Sequence, residues 1–487
     1  MKTAPTINDI MRSTGVQFGT SGIRGLVEAL TDESCFAFVY AFLEHIAPST
    51  ECIVIGHDLR PSSPRIAAAC AAAAKRRGCR VLYAGVLPTP ALAWYAQERS
   101  IPAIMVTGSH IPFDRNGLKF YRADGEISKA DEQAILAAPA VAESGDTTSL
   151  LPAEDPSIAD SYAQRYIQAF GHEKLLGLRV GFYQHSSAGR DIISNVLGQL
   201  GVEVVPLKRT DYFVPIDTEA VSEEDSALAL EWAGVGHFDA IISTDGDADR
   251  PLISDEHGNW LRGDVVGILC AQALGIAQVV APVSCISSIE ACNSFSTVLR
   301  TRIGSPYVIG GMEQLHKENG PLAGFEANGG FLLGSAVTMS GEPIKALPTR
   351  DALLPILALL RMSLLSGKTI SALTATLPER FSASDRIAGF ATVRSATLVA
   401  AMKRDSALAL EIMLPGAVSI VSTNTVDGFR AQFEGGDIVH LRPSGNAPEL
   451  RCIAESSTVV RARELCLQCL QRVAALPPEF WSAQGCA

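Results

Sequence analysis

Residues 101–110 read IPAIMVTGSH, an apolar run that ends in a glycine, a serine and a histidine. The apolar run is typical of a buried β-strand. The polar residues continue into PFDRNGLKFY at 112–121. In a parallel sheet, ligands bind at the carboxyl ends of the strands, and Ser109 would lie at such an end. The stretch therefore predicts an α/β fold with a functional site at Ser109.

Similar strand–helix units recur along the chain. Residues 51–58 (ECIVIGHD) and 79–85 (CRVLYAG) read as strands that precede helices. The pattern begins again with GLRVGFYQHSSAGRD at 177–191 and with AQVVAPVSC at 277–285, which a helix near 288–295 would follow. Strands that alternate with helices indicate parallel sheets covered on both faces. We expect three similar α/β domains with mixed, mostly parallel sheets.

The last part of the chain has a different pattern. From about residue 373 it leads into FRAQFEGGDIVHLRPSGNAPELRCIAES at 429–456 and then into a closing helix. Adjacent strands followed by a helix indicate an antiparallel sheet with helices on one side. We therefore expect a fourth domain of the α+β class.

Composition disfavours several kinds of partner. The 487 residues carry a net charge of −12, which disfavours nucleic acid because phosphate backbones are bound by clustered Lys and Arg. The eleven cysteines are scattered. Cys466 and Cys469 have no second pair and no histidine near them, so we expect them to pack as small apolar residues. Scattered cysteines fit a reducing cytoplasm.

One segment resembles a membrane span. Residues 265–283 (VVGILCAQALGIAQVVAPV) carry no charge, and their length approaches the ~20 residues that a membrane helix needs. A helix over 265–274, a glycine turn and a buried strand over 278–284 explain the same residues. The N-terminus has no apolar core of signal-peptide length. We therefore expect no association with a membrane.

Three carboxylates cluster in STDGDADR at 243–250. Asp245, Asp247 and Asp249 alternate, so in an extended chain their side chains would share one face. Clustered carboxylates repel one another unless a cation lies among them, and oxygen ligands select Mg²⁺ or Ca²⁺ over Zn²⁺. A solvated acidic loop and an EF-hand are the alternatives. An EF-hand fits less well, because a strand-like run precedes the loop and Arg250 stands where that motif needs Gly.

Ser109 is followed within one loop by His110, Asn116, Gly117 and Lys119. A serine needs activation to act as a nucleophile or a phosphoryl carrier, and Lys119 supplies a cation within reach. The alternative is a loop serine that hydrogen-bonds its own backbone. No G-x-S-x-G motif surrounds Ser109, which disfavours a hydrolase triad.

Three further loops suit anions or sugars. Residues 442–451 (RPSGNAPELR) offer arginines, a hydroxyl and backbone N–H groups, as phosphate sites do, although a surface turn with solvated arginines is the alternative. In GFEANGG at 324–330, Glu326 accepts and Asn328 both donates and accepts hydrogen bonds, which suits sugar hydroxyls. FGTSGIRG at 18–25 adds Arg24 to a glycine-rich turn. No P-loop occurs, so no motif indicates nucleotide binding.

These loops together resemble the α-D-phosphohexomutase family, over about residues 17–455. The motifs in order are FGTSGIRG, TGSHIPFDRNGLKFY, DGDADR, FEANGG and RPSGNAPELR. The resemblance implies interconversion of hexose 1-phosphate and hexose 6-phosphate, of mannose or glucose, through a phosphoserine and a 1,6-bisphosphate. It also implies four domains around a central cleft. The expected domains are a phosphoserine domain over 1–154, a metal-binding domain over 155–258, a sugar-binding domain over 259–372 and a phosphate-binding domain over 373–487.

The resemblance also assigns roles by position. Ser109 would be the phosphoserine and would bind Mg²⁺ together with Asp245, Asp247 and Asp249. The reacting centre would also contain Arg24, His110, Lys119 and Arg250, with Lys119 transferring the proton. The sugar hydroxyls would contact Glu326 and Asn328, and the phosphate that is not reacting would be held by Arg442, Ser444, Gly445, Asn446 and Arg451. The expected cofactors are Mg²⁺ and a hexose 1,6-bisphosphate primer, the partner is a sugar phosphate, and the chain would be a monomer or a weak dimer.

The sequence departs from the family pattern at several positions. Gly108 and Ile111 stand where Ala and Asn are usual, Asn328 stands where Ser is usual, and Ser305 stands where several members have His. These changes leave the hexose open, so phosphoglucosamine mutase is an alternative activity. A phosphatase in which water intercepts the phosphoserine and a non-catalytic sugar-phosphate binder are two further alternatives.

Overall fold

The computed structural model describes residues 6–19, 22–140, 149–171, 174–416, 419–444 and 448–484. The chain forms two compact units. The first consists of Met1–Ile276 and Met312–Thr374, and the second consists of Ala277–Gly311 and Ala375–Ala487. The four expected domain boundaries, and the arrangement of the domains around a cleft, stay predictions.

Helices and strands are numbered in chain order. The first part contains α1 (Ile7–Thr14), α2 (Asp32–His45), α3 (Ser63–Arg76), α4 (Thr89–Arg99), α5 (Lys129–Ala137), β1 (Gln17–Phe18), β2 (Gly22–Leu26), β3 (Cys52–His57), β4 (Arg80–Val86), β5 (Ala103–Val106), β6 (Arg115–Arg122) and β7 (Gly125–Glu126). The next part contains α6 (Ser157–Phe170), α7 (Arg190–Gln199), α8 (Glu223–Gly236), β8 (Arg179–His185), β9 (Glu203–Arg209), β10 (Ala240–Thr244) and β11 (Pro251–Ile253).

The remaining elements follow in the same order. The third part contains α9 (Gly263–Ala273), α10 (Ser288–Ala291), α11 (Ser305–Gln314), a 3-10 turn (Lys317–Asn319), α12 (Leu353–Ser366), α13 (Ile370–Thr374), β12 (Gln278–Pro282), β13 (Thr297–Thr301), β14 (Leu322–Phe325), β15 (Phe331–Leu333), β16 (Val337–Met339), β17 (Glu342–Ile344) and β18 (Leu347–Asp351). The last part contains α14 (Thr392–Arg404), α15 (Ser406–Met413), α16 (Val459–Ala474), α17 (Pro478–Ala483), β19 (Phe381–Ala388), β20 (Ile420–Asn424), β21 (Phe429–Phe433), β22 (Ile438–Pro443) and β23 (Glu449–Ser456).

The first sheet of the first unit places the serine loop. Its strand order is β1-β2-β6-β5-β3-β4, and β7 pairs with β6. Strands β3, β4 and β5 are parallel, whereas β1, β2, β6 and β7 join antiparallel. All residues of β5 are buried, and the strand ends at Val106. The prediction that Ser109 follows the carboxyl end of a buried strand is therefore confirmed.

The second sheet places the acidic loop. Its order is β11-β10-β8-β9, in which β8, β9 and β10 are parallel and β11 is antiparallel. Strand β10 (AIIST) is fully buried and ends directly before Asp245. Both sheets are mixed, as expected. The description "mostly parallel" fits the second sheet but not the first, because the strands that flank the serine loop there are antiparallel.

The rest of the first unit places the sugar loop. Strands β14, β15 and β18 pair antiparallel, and α12 packs against α9. Helix α9 ends at Ala273 and Gly275 follows in a left-handed turn, which confirms a helix rather than a membrane span at this point. Among the described residues, no helix combines the length and the apolar composition that a bilayer crossing requires.

The second unit contains β12 and β13, which are parallel, and the C-terminal sheet. Helix α10 ends at Ala291, shorter than the helix expected near 288–295, because Asn293 takes a left-handed conformation with φ of 52°. The C-terminal sheet is antiparallel in the order β19-β23-β22-β21-β20. Helices α14, α15 and α16 supply core residues to one of its faces, and Cys466 and Cys469 are buried there as predicted.

His440 gives the second unit a pH-dependent stability. It is buried on β22, and its Nε2 lies 2.6 Å from the carbonyl oxygen of Asp427. Burial lowers the pKa of His440 to about 4, and the nearby Arg442 acts in the same direction. Between about pH 4 and the unfolded value of about 6.5, the unfolded chain therefore binds a proton that the folded chain does not. Stability is consequently full above about pH 6.5 and falls as the pH decreases.

We expect the native second unit to lose up to about 1.4 kcal/mol of unfolding free energy per pH unit, from this group, between pH 6 and 4.5. The His440→Asn variant should lack that contribution and show a shallower slope. His440 is the only histidine and Trp481 the only tryptophan in this unit. Urea unfolding followed by Trp481 fluorescence at several pH values measures the slopes directly. Equal slopes for the two proteins would contradict the prediction.

Candidate functional site: a serine and an acidic triad

The serine loop holds Ser109 in an unusual backbone conformation. Ser109 has a φ of 54°, in the left-handed region, and it is buried. Its backbone N–H donates to the hydroxyl of Thr107 at 2.8 Å. A residue without glycine's freedom occupies this region only when its surroundings hold it there. The loop therefore presents the Ser109 hydroxyl in a direction that the backbone fixes.

Arg60 holds the backbone of the serine loop, residues 107–115, through hydrogen bonds to its carbonyl groups. Its guanidinium donates to the carbonyl oxygens of Ser109 at 3.0 Å, Pro112 at 2.6 Å and Arg115 at 2.9 Å, and also to that of Ile111. Arg60 is almost fully buried. A rigid fork of donors can satisfy several carbonyl groups that secondary structure leaves unpaired. Arg60 thus takes the place of regular hydrogen bonding along the loop.

Neighbouring residues are shaped around Arg60. Its Nε lies 3.1 Å from Asp58 Oδ2, and its guanidinium carbon lies 4.0 Å from the ring centre of Phe213. A Cβ at Gly108 would approach the Arg60 guanidinium to 2.6 Å. Gly108 is therefore required here because any side chain would displace Arg60. The sequence analysis noted Gly108 only as a departure from the family pattern, and it gave no role to Arg60.

The three aspartates converge, although not as an extended chain. Residues 245–250 form a turn in which Ala248 has a φ of 52°, so the expected alternation along a strand is wrong. Asp245, Asp247 and Asp249 are all buried, and one carboxylate oxygen of each lies within 4.8 Å of the others. Burial excludes the solvated-loop alternative, and the preceding strand β10 excludes the EF-hand.

The acidic triad also offers the oxygen ligands that a hard cation such as Mg²⁺ needs. In the part of the chain that the structure describes, no donor lies within hydrogen-bond distance of Asp247 Oδ1 or Asp249 Oδ1. Buried carboxylate oxygens without partners are costly, and a bound divalent cation would satisfy them. The triad therefore fits a Mg²⁺ ion held entirely by oxygen ligands.

Ser109 and the triad meet directly. The Ser109 hydroxyl donates to Asp245 Oδ2 at 2.5 Å. Burial raises the pKa of Asp245 well above its usual range, and Asp247 and Asp249 raise it further. The residues that the sequence placed in two separate loops therefore form one site within the first unit.

Lys119 and Arg250 balance part of the negative charge. Lys119 Nζ lies 2.6 Å from Asp247 Oδ2 and 2.5 Å from Asp249 Oδ2. Burial would raise the pKa of Asp247, but Lys119 and the hydroxyl of Thr89 hold it below its usual value. Arg250 Nε lies 3.6 Å from Asp249 Oδ1. The cations that the sequence indicated are therefore present around the triad.

His110 and Arg24 complete this group. His110 Nδ1 lies 3.3 Å from the Ser109 hydroxyl and accepts from Arg250 Nη1 at 2.9 Å. Burial and Arg250 lower the pKa of His110 to about 4, so its ring is neutral near pH 7. Burial, Arg250 and Arg350 lower the pKa of Arg24 to about 10. Guanidinium groups that repel one another in this way would be stabilised by a phosphate anion between them.

The sugar loop is the connection between β14 and β15. The backbone N–H of Glu326 donates to the Gly330 carbonyl at 3.0 Å, and Asn328 Oδ1 accepts from the Gly330 N–H at 3.0 Å. Glu326 and Asn328 are both buried. The Asn328 side-chain oxygen is thus used within its own loop. Of the two predicted sugar contacts, Glu326 is the one that carries a carboxylate.

Arg350 is a site residue that the sequence did not indicate. It lies on β18 and is ion-paired with both Asp249 and Glu326. Burial would raise the pKa of Asp249, but Arg350 and Lys119 together hold it far below its usual value. Its segment, LPTRD, carries no glycine-rich or repeated motif, so only the tertiary fold reveals its position.

The second unit contains the predicted phosphate loop between β22 and β23. Arg442 and Arg451 are directly opposite each other across these strands, so their side chains share a face. Arg386 is opposite Arg451 on the next strand, which extends the row to three arginines. The Ser444 backbone N–H donates to the Glu449 carbonyl at 2.9 Å. Gly445 and Asn446, also predicted here, lie outside the described residues.

The first unit therefore combines a buried serine, an acidic triad that could hold a cation and several basic side chains on α/β sheets. These are the parts that phosphoryl transfer requires, since that reaction depends on positioning and on charge neutralisation. The fold and the site fit the class of phosphotransferases that use a serine and a metal ion.

Comparison with known proteins identifies the family. Sequence profiles described as "Phosphoglucomutase/phosphomannomutase, alpha/beta/alpha domain I", "domain II" and "domain III" match residues 15–144, 160–258 and 262–381. The chain belongs to the phosphoglucomutase/phosphomannomutase family and is a phosphohexomutase, an isomerase of hexose phosphates. The resemblance seen in the sequence is confirmed.

Individual relatives cover nearly the whole chain. A phosphomannomutase of Salmonella muenchen is 48% identical over 94% of this chain and 95% of that protein. A phosphomannomutase of Sinorhizobium fredii is 43% identical over 93% of this chain and 98% of that protein. Phosphoglucosamine mutases are more distant, at 26–30% identity. A phosphoglucomutase/phosphomannomutase family protein of Burkholderia thailandensis has the same fold, with a TM-score of 0.73 at 18% identity, over 94% of this chain and 97% of that one.

Proposed function

We propose that this phosphohexomutase interconverts mannose 1-phosphate and mannose 6-phosphate, and the corresponding glucose phosphates, through phosphorylated Ser109. The main support for this proposal is the 2.5 Å hydrogen bond from the Ser109 hydroxyl to Asp245 of the triad. A hydroxyl that touches a cation-binding carboxylate is placed to carry a phosphoryl group whose charge a metal ion neutralises. The 43–48% identity to phosphomannomutases favours mannose over glucosamine.

In the first half-reaction, the bond from phosphorus to Ser109 Oγ breaks and a bond from phosphorus to a sugar hydroxyl oxygen forms. We assign the proton transfer to Lys119: its ammonium group gives a proton to Ser109 Oγ as the bond to phosphorus breaks, and the amine that remains takes the proton of the sugar hydroxyl. We place Arg24, Arg250 and the neutral His110 around the transferring group, because, in addition to burial, the charges of both arginines lower the pKa of His110, whose Nδ1 lies 3.3 Å from the Ser109 hydroxyl. The resulting hexose 1,6-bisphosphate then turns in the site, and its other phosphate returns to Ser109.

Mg²⁺, bound by Asp245, Asp247 and Asp249, would supply positive charge to the transferring phosphoryl group. Glu326 would accept hydrogen bonds from sugar hydroxyls, and Asn328 would shape the loop that presents it. We assign the phosphate that is not reacting to Arg442, Ser444, Gly445, Asn446 and Arg451, with Arg386 as an added member. A row of arginines can accept either end of the sugar, because guanidinium forks bind phosphate in several orientations.

The test is turnover of mannose 1-phosphate, glucose 1-phosphate and glucosamine 1-phosphate, each with Mg²⁺ and glucose 1,6-bisphosphate, followed by phosphorus NMR. We expect the 6-phosphate to form fastest from mannose 1-phosphate. A faster reaction with glucosamine 1-phosphate would instead identify a phosphoglucosamine mutase. Release of inorganic phosphate without isomer formation would indicate a phosphatase, and binding without turnover would indicate a non-catalytic protein.

The cellular location is also a proposal. The ten cysteines within the described residues are all free thiols. Free thiols support the reducing cytoplasm that the scattered cysteines suggested.

A further inference from the structure

Arg350 contacts two functional loops at once. It lies on β18 within the first unit and is 2% exposed. Its Nη2 and Nε lie 2.9 Å and 3.1 Å from Asp249 Oδ2, and its Nη1 lies 3.2 Å from Glu326 Oε2. One guanidinium therefore joins a carboxylate of the acidic triad to the carboxylate of the sugar loop.

The backbone on both sides of Arg350 is anchored. The Thr349 hydroxyl donates to Glu126 Oε1 at 2.7 Å. Asp351 accepts from the Tyr162 hydroxyl at 2.6 Å and from the Leu353 N–H at 2.9 Å, at the start of α12. Strand β18 thus has anchors in addition to its pairing with β15, and these anchors hold the Arg350 backbone from outside the two loops.

The sugar loop is built around this side chain. A Cβ at Gly330 would lie 2.4 Å from Arg350 Cδ and 2.6 Å from its Cγ. Any side chain at Gly330 would displace Arg350 or the loop. The close approach shows that the loop and the arginine are fitted to each other.

A planar guanidinium suits this task better than an ammonium. It offers donors in several fixed directions, so it can hold two carboxylates that approach from different sides. A lysine would retain the positive charge but would act as a single point. Charge and geometry at this position can therefore be separated by substitution.

We propose that Arg350 is a positioning residue that holds Asp249 of the acidic loop and Glu326 of the sugar loop in a fixed relation. The two loops then present the metal site and the sugar site to Ser109 together. This inference rests on the proposed function of the same site. Arg350 acts through the two carboxylates rather than on the substrate itself.

The proposal predicts effects of opposite sign on the two ligands. Without Arg350, Lys119 still holds Asp249, and the carboxylate no longer faces the guanidinium charge, so Mg²⁺ should bind more tightly. The same change leaves Glu326 without its holder, so a sugar phosphate should bind more weakly. A general loss of structure would weaken the binding of both ligands, and this difference in sign separates positioning from folding.

The experiment compares Arg350→Met and Arg350→Lys with matched changes at Arg80, an exposed arginine at the amino end of β4. Calorimetry with MgCl2 alone gives the metal affinity, and calorimetry with mannose 6-phosphate in EDTA gives the sugar-phosphate affinity. For Arg350→Met, we expect Mg²⁺ to bind about threefold or more tighter and mannose 6-phosphate about tenfold weaker. Circular dichroism and thermal unfolding check the fold of each variant.

For Arg350→Lys, we expect Mg²⁺ affinity within about twofold of the native value, and mannose 6-phosphate binding about fivefold or more weaker. Native affinities for both ligands in the lysine variant would overturn the proposal, because charge alone would then suffice. Weaker binding of both ligands by Arg350→Met, together with a lowered melting temperature, would also overturn it. If the native enzyme shows no mutase turnover but the variants separate the two affinities as stated, the proposed function fails and the positioning role stands.

Discussion

Replacement of Ser109 by alanine is expected to lower mutase turnover by about 10³-fold or more. The side chain is buried and its hydroxyl contacts Asp245 at 2.5 Å. Alanine removes only the oxygen that would carry the phosphoryl group, so the loop and the acidic triad should keep their structure. A coupled assay for mannose 6-phosphate, with mannose 1-phosphate and a bisphosphate primer, measures the loss.

Mass spectrometry tests the same role without turnover. After incubation with glucose 1,6-bisphosphate, the native protein should gain one phosphoryl group on the peptide that contains Ser109, and the alanine variant should gain none. Ser157→Ala, at an exposed position at the start of α6, is the matched control and should behave as native. Full turnover by Ser109→Ala would refute the phosphoserine assignment.

Replacement of Asp247 by asparagine is expected to weaken Mg²⁺ binding by at least about tenfold and to lower turnover in parallel at limiting Mg²⁺. Asparagine has nearly the same shape but loses the negative charge that a hard cation requires. Asp247 Oδ1 is one of the buried oxygens that a cation would satisfy. Calorimetric titration with MgCl2, and turnover as a function of Mg²⁺ concentration, measure the two effects.

Asp191 provides the control for this change. Asp191 lies on α7, its side chain is 77% exposed, and it forms an ion pair with Arg209 on β9. Asp191→Asn should leave Mg²⁺ affinity and turnover unchanged. Unaltered Mg²⁺ affinity in Asp247→Asn would contradict the assignment of the triad as the metal site.

The sequence located the candidate site because local patterns determine it. Buried strands end directly before the serine loop and the acidic loop, and polar residues follow each one. Ligands bind at the carboxyl ends of strands in α/β sheets, so Ser109 and Asp245 could each be predicted as site residues. Their meeting across two different sheets was implied only by the family resemblance. The local geometry of the acidic loop could not, because the left-handed turn at Ala248 has no glycine to indicate it.

The supporting residues could not be predicted from the sequence. Arg60 and Arg350 are each buried in contact with residues far away in the chain. Arg386 lies on an exposed strand whose pairing with β23 brings it beside Arg451. A single arginine in a loop or in a mixed polar strand shows no periodic signal, so only the completed packing assigns it a partner.

The left-handed backbone at Ser109, the proposed phosphoryl carrier, limits which amino acids can serve there. A branched Cβ clashes with the backbone in that conformation, so threonine would force the peptide to turn and its oxygen to point elsewhere. Two residues with the same functional group are therefore not interchangeable at this position, and the nucleophile is selected by the path of the main chain as much as by its chemistry.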